Sequence, residues 1–131
     1  MTEPALDPIR LAHPTINRPE PAPLPVKGPA CWDRAIGEWC EAFSGATEVD
    51  AEMHLTILAA FRERDAIGEA SYGVRLRPHD GRNSLVDATQ ELMDALVYFT
   101  KWQMETGERL PEMGDLRRMI FGLFQRVKET V

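Results

Sequence analysis

Eight of the chain's ten prolines fall within its first 29 residues, and only Pro78 and Pro111 lie beyond them. A proline ring fixes φ, removes a backbone donor and clashes with the preceding helical turn, so helix interiors exclude it. The 131-residue sequence therefore divides in two. Residues 1–29 predict a proline-rich arm, extended or disordered and polyproline-like over Pro19-Glu-Pro-Ala-Pro-Leu-Pro25. The arm shows no helical face and is not expected to add to a core. Its composition suits a tail, or a segment packed on a neighbour, better than a dedicated SH3-type ligand. Residues 30–131 contain only two prolines and predict a single all-α domain.

Apolar spacing divides that domain into four helices. Trp32, Ile36, Trp39 and Phe43 recur at four, three and four residues, which predicts a first amphipathic helix ended by Gly45. Thr47 is placed to cap a second helix over 48–70. Its face runs through His54, Ile57, Leu58, Phe61, Asp65, Gly68, Glu69 and Tyr72, apolar at first and acidic at the end. Tyr72 to Arg82 reads as a loop, with Gly73, Pro78 and Asp80-Gly81 as breakers. Asn83 or Ser84 caps a third helix that reaches Thr106 and stops at Gly107. Asp115 is expected to cap a fourth, with Leu116, Met119, Ile120, Leu123, Phe124 and Val127 inward. No segment alternates with period two, so no sheet is expected, and four amphipathic helices on short loops predict a helical bundle.

Charge and cysteine usage narrow the function classes. The net charge of -6 argues against a nucleic-acid binder and against attraction to anionic lipid. Cys31 and Cys40 are the only cysteines, without CxxC or Cys/His spacing, so no zinc site is expected. Residues nine apart on a helix lie roughly 13 Å apart, too far for a disulfide. No signal peptide or bilayer-length apolar run is apparent, which predicts a cytoplasmic protein.

The chemistry-bearing pattern lies on the third helix. Asp87, Glu91 and Asp94 fall four and then three residues apart, one acidic stripe on a helix of 3.6 residues per turn. The apolar stripe expected beside it is Leu85, Ala88, Leu92, Ala95 and Phe99. Carboxylates at the margin of a helix-helix groove are placed to converge on a hard cation. Asp65 and Glu69, with Glu63 as runner-up, form a second acidic group at the end of the second helix. If those helices pack antiparallel, the two groups face each other. Arg75, Arg77 and Arg82 supply cations in the loop, and guanidinium groups grip phosphate oxygens in pairs. Lys101 is a further phosphate candidate. Tyr98 and Trp102 are placed to stack on a base, although such rings more often fill a core. His54, on an apolar stripe, reads as a satisfied interior histidine, and His79 as a loop residue. No GxxxxGK[ST] loop is present.

The stretch Glu91-Leu-Met-Asp94-Ala-Leu-Val-Tyr98 resembles the second-motif helix of the MazG-like all-α nucleotide pyrophosphohydrolases. Tyr72-Gly-Val-Arg-Leu, followed by Asp80-Gly-Arg-Asn-Ser-Leu-Val-Asp-Ala-Thr-Gln-Glu91, resembles a phage-type branch of that group, the dATP/dGTP diphosphohydrolases. The resemblance covers residues 57–104. It implies a four-helix MazG-like bundle that converts a (d)NTP to the (d)NMP and pyrophosphate. It implies Mg2+ or Mn2+ held by Glu91, Asp94 and Asp87, with Glu69 and Asp65 in place of the family's EExxE, which this chain lacks. Arg82, Lys101, Asn83 and Tyr98 are the implied substrate contacts, and a homodimer or homotetramer the implied assembly. Position 83 is Asn where the pattern has Asp, and position 90 is Gln where it has Glu. The reading from another class is a non-catalytic helical interaction module whose proline-rich arm docks a partner.

Overall fold

The computed structural model describes residue 16 and residues 20–44 and 48–129. It is all-helical, with four helices and no strand among the described residues: α1 (Cys31–Ala42), α2 (Glu48–Tyr72), α3 (Ser84–Thr106) and α4 (Met113–Glu129). Helix α1 packs on α2, and α3 packs on α4, so the chain forms two helical hairpins. Among the described residues they belong to two compact units, one within residues 21–82 and the other formed by residues 16, 20 and 83–129. Both ends of α2 and both ends of α3 fall within two residues of the sequence expectation. Gly45 and Thr47, expected to end α1 and cap α2, lie outside the described residues.

The α1–α2 hairpin is held largely by rings. Trp39 stands edge-on to Phe61, with ring centres 5.2 Å apart, and lies 4.6 Å from Phe43. Trp32 approaches the same Phe61. The four-three-four spacing of α1 places Trp32, Trp39 and Phe43 on one side, and Phe61 meets them from α2. The Trp39 indole N–H donates to His54 Nδ1 at 3.1 Å, so the interior histidine is satisfied as its position on the stripe implies. On α2, Leu58 is buried and Ile57 half-buried, while Tyr72 at the end of the face is exposed.

The α3–α4 hairpin is held by aliphatic packing. Val86 and Val127 are fully buried, and Leu85, Met93 and Phe124 pack around them. Asn83 caps α3: its side chain accepts from the N–H groups of Leu85 and Val86, satisfying two donors that the helix leaves unpaired. Gly107 ends α3 at φ 72, a left-handed conformation that costs glycine little, and its N–H returns to Gln103 O.

Three packing expectations are corrected. The buried side of α3 carries Val86 and Thr89, not Ala88 and Phe99, which are exposed. Thr89 tolerates burial although it is polar, because its hydroxyl donates to Leu85 O one turn back. Helix α4 begins at Met113, and Asp115 lies inside its first turn, paired with Arg118 instead of capping. Met119, expected inward, is exposed.

Of the expected arm, residues 1–15 and 17–19 lie outside the described residues. The expectation that residues 1–29 add nothing to a core fails at Ile16, which is 1% exposed and packs with Val86 and Val127. Its carbonyl accepts from the Gln90 side-chain amide. Residues 20–30 form a strap without regular structure along the loop 73–82. Leu24 N–H donates to Asp80 O at 2.8 Å, and Cys31 N–H donates to Leu76 O at 2.9 Å. Val26 N–H donates to Leu24 O, closing a three-residue turn about Pro25. That turn interrupts the polyproline conformation that composition suggests. Gly81, at φ 87, lies under the strap: a Cβ there would meet Leu24 at 3.3 Å.

Candidate functional site

The acids of α3 divide by environment. Asp87, in the first turn, is half-buried and favoured by the helix dipole. Glu91 and Asp94 are exposed, and no described hydrogen bond or ion pair engages either carboxylate. Like charges one turn apart repel each other by a few tenths of a kcal/mol, roughly 0.2–0.5, unless a cation joins them. Both remain available to a ligand from solvent.

Asp65 has a different partner. Its two oxygens accept from Arg75 Nη2 at 2.6 Å and Nε at 3.3 Å, and its side chain is only 15% exposed. The same guanidinium donates to both oxygens of Asp33 on α1, at 2.8 and 3.2 Å. One arginine from the loop thus ties α1 to α2 through two carboxylates. The hydrogen bonds from Arg75 hold the Asp33 carboxyl below its usual value, and the two acids raise the Arg75 pKa. A carboxylate held by a planar guanidinium fork is a poor cation ligand, because metal binding would require that fork to be displaced. Glu69, one turn further along α2, is exposed. Sequence reasoning placed Arg75 on phosphate and missed this clamp. Asp33 stands on the first helix, forty-two residues from Arg75 in sequence, so no local spacing signals the pair.

The remaining loop cations are bound locally. Arg77 Nε donates to Gly28 O at 3.1 Å, and Arg82 Nη1 to Pro21 O at 2.8 Å. Asp80 is 5% exposed. Its Oδ1 accepts from Arg82 N–H two residues on, forming a local turn, while its buried Oδ2 has no partner. Asn83 uses its side chain as a cap, and its N–H donates to Glu20 Oε2 at 3.2 Å. Lys101 pairs with Glu105 one turn on, at 3.0 Å. Tyr98 and Trp102 are exposed.

Among the described residues no group of three or more His, Cys, Asp or Glu side chains is gathered as a ready metal cage. Magnesium does not require one: it commonly binds through one or two carboxylates and completes its octahedron with water and substrate phosphates. Glu91 and Asp94 match that donor chemistry, as hard oxygens one turn apart without competing protein cations. Cys31 and Cys40 are free thiols, both half-buried. No described helix is long and apolar enough to cross a membrane.

These features define an all-α protein with an exposed acidic face on its third helix. No family model, curated protein or solved structure matches the chain.

Proposed function

We propose that the chain is a metal-dependent nucleoside triphosphate pyrophosphohydrolase with a MazG-like all-α fold, converting a (d)NTP, dATP or dGTP among the candidates, to the (d)NMP and pyrophosphate. The observation that carries this reading is the exposed pair Glu91 and Asp94, unengaged by protein cations, within the stretch that resembles the family motif. Asp87 extends the acidic face by one turn. Asp65 is demoted from ligand to structural partner, because Arg75 already holds it. Bound there, Mg2+ or Mn2+ would neutralise phosphate charge and acidify the attacking water.

The chain's own groups have separate tasks in this reading. Glu91 and Asp94 hold the cation. Arg82, just before the α3 N-terminus, is the candidate grip on a phosphate oxygen. Lys101 would have to leave Glu105 to reach a phosphate, an exposed and weak pair that costs little to break. Tyr98 offers an exposed ring to the base. The enzyme works in the cytoplasm, of a bacterial host if phage-encoded, and assembles as a homo-oligomer. The rival interaction module relies on a free proline-rich arm, whereas the described strap is bonded to its own chain.

The test is a screen of all NTPs and dNTPs for pyrophosphate release, with and without Mg2+ or Mn2+. Glu91→Gln and Asp94→Asn should each abolish release while far-UV circular dichroism stays unchanged. Near-full activity in both variants would refute the assignment, and inactivity of the wild type on every nucleotide would refute the enzyme.

A further inference from the structure

The side of α3 that buries Val86 continues beyond its cover. Val86, Met93, Val97 and Met104 recur at seven, four and seven residues and so share one side of the helix. Near the N-terminus this side is sealed, with Val86 against Ile16 and Val127, and Met93 packed on that cluster. Toward the C-terminus it is open, with Val97 at 66% exposure and Met104 at 81%. With Leu96 and Thr100 they line a shallow apolar groove of about 390 Å³, edged by Lys101 and Glu105.

Two contacts from the N-terminal part of the chain indicate the occupant. Glu20 Oε2 accepts from Asn83 N–H at the start of α3, and Ile16 O accepts from the Gln90 side chain two turns on. Glu20 and Ile16 thus mark a track along α3 and its direction: going back toward residue 1, the chain heads for the C-terminus of α3. Val97 lies about 10 Å beyond Gln90 along the helix, and Met104 about 21 Å. Extended chain covers these distances in about three and about six or seven residues. Continued on the same line, the chain before Ile16 comes level with Val97 near His13 and with Met104 near Ile9 and Arg10. That stretch carries the apolar side chains Ile9, Leu11 and Ala12, and Pro8 and Pro14 beside it favour extended backbone. Arg10 arrives level with Glu105, opposite in charge. We infer that the groove is the docking site of residues 9–13 of the same chain. They run antiparallel to α3, with Ile9 and Leu11 over Met104 and Val97 and Arg10 beside Glu105. The inference is independent of the catalytic reading.

Two measurements on the full chain test it. The first times tryptic cleavage after Arg10. Val97→Glu and Met104→Glu alter exposed positions, so helicity should persist while that cleavage accelerates roughly tenfold, at a rate independent of protein concentration. The second pairs introduced cysteines in a Cys31→Ser/Cys40→Ser background. Under mild oxidation, His13→Cys should join Val97→Cys and Ile9→Cys should join Met104→Cys within one chain, each faster than the exchanged pairings. Phe121→Cys, exposed on α4, should join either one more slowly. A cleavage rate indifferent to both glutamate substitutions would overturn the inference, as would cross-linking without preference for register. Protection that disappears on dilution, or cross-links only between chains, would replace the arm with a second copy and overturn it too.

Discussion

The two hairpins reach stability by different chemistry. In α1–α2 the packing is directional: an indole N–H on an imidazole, an edge-to-face ring pair, and one guanidinium shared by two carboxylates. In α3–α4 it is aliphatic, centred on Val86 and Val127 and completed by Ile16 from outside the helices. Directional contacts fix geometry but exchange water hydrogen bonds for protein ones, with a modest net gain of roughly 1 kcal/mol each. Aliphatic burial gains more per side chain and tolerates variation in shape. The acidic face of α3 therefore stands on the hairpin whose fold depends least on charge.

That contrast can be broken by experiment, because the tryptophans report separately: Trp32 and Trp39 lie in the first hairpin, and Trp102 lies in the second. The largest effect expected is from Ile16→Ala. Emptying a site that is 1% exposed should cost the second hairpin about 3 kcal/mol in urea unfolding followed by circular dichroism. In a Trp102→Phe background, emission from the first hairpin should shift far less. Equal shifts in both would end the distinction. Asn83→Ala comes next, since losing a cap with two acceptor contacts should cost about 1 kcal/mol. Asn83→Asp keeps the acceptor and should hold the wild-type midpoint.

A smaller effect tests the charged clamp. Arg75 holds the Asp33 carboxyl below its ordinary value of 3.8, so the folded state favours the ionised form. The stabilisation from Asp33 is complete above that value and is lost as pH falls through the lower folded value. Acid titration of the first hairpin's tryptophan emission should therefore show a component below pH 3.8 that Asp33→Asn removes. Persistence of the full acid transition in that variant would assign it to other carboxylates. The smallest change is expected from Leu24→Ala in the strap. That side chain is 55% exposed, and its link to Asp80 runs through the backbone, so the midpoint should move by less than about 0.5 kcal/mol.

Much of the local structure was legible in residue order. Proline distribution separated the arm from the helices. The spacing of Trp32, Trp39 and Phe43 placed the α1 ring face, and Gly107 marked where α3 ends. These follow from rules acting within one or two turns: ring closure in proline, 3.6-residue periodicity, and the left-handed freedom of glycine. The acidic stripe was legible for the same reason, since spacing alone aligns Asp87, Glu91 and Asp94. Which carboxylates remain available was not. Asp65 and Glu69 look alike in sequence, yet one is held by Arg75 and the other is exposed.

The sequence by itself determined an all-α chain, its helix limits to within a few residues, and the side of α3 on which the acids lie. Only the tertiary structure decided that Thr89 is buried, that Ile16 completes an aliphatic core, and that Arg75 bridges Asp33 and Asp65. The physical reason is range. Helix formation and capping are governed by neighbours a few residues away, whereas burial and ion pairing depend on groups brought together across tens of residues.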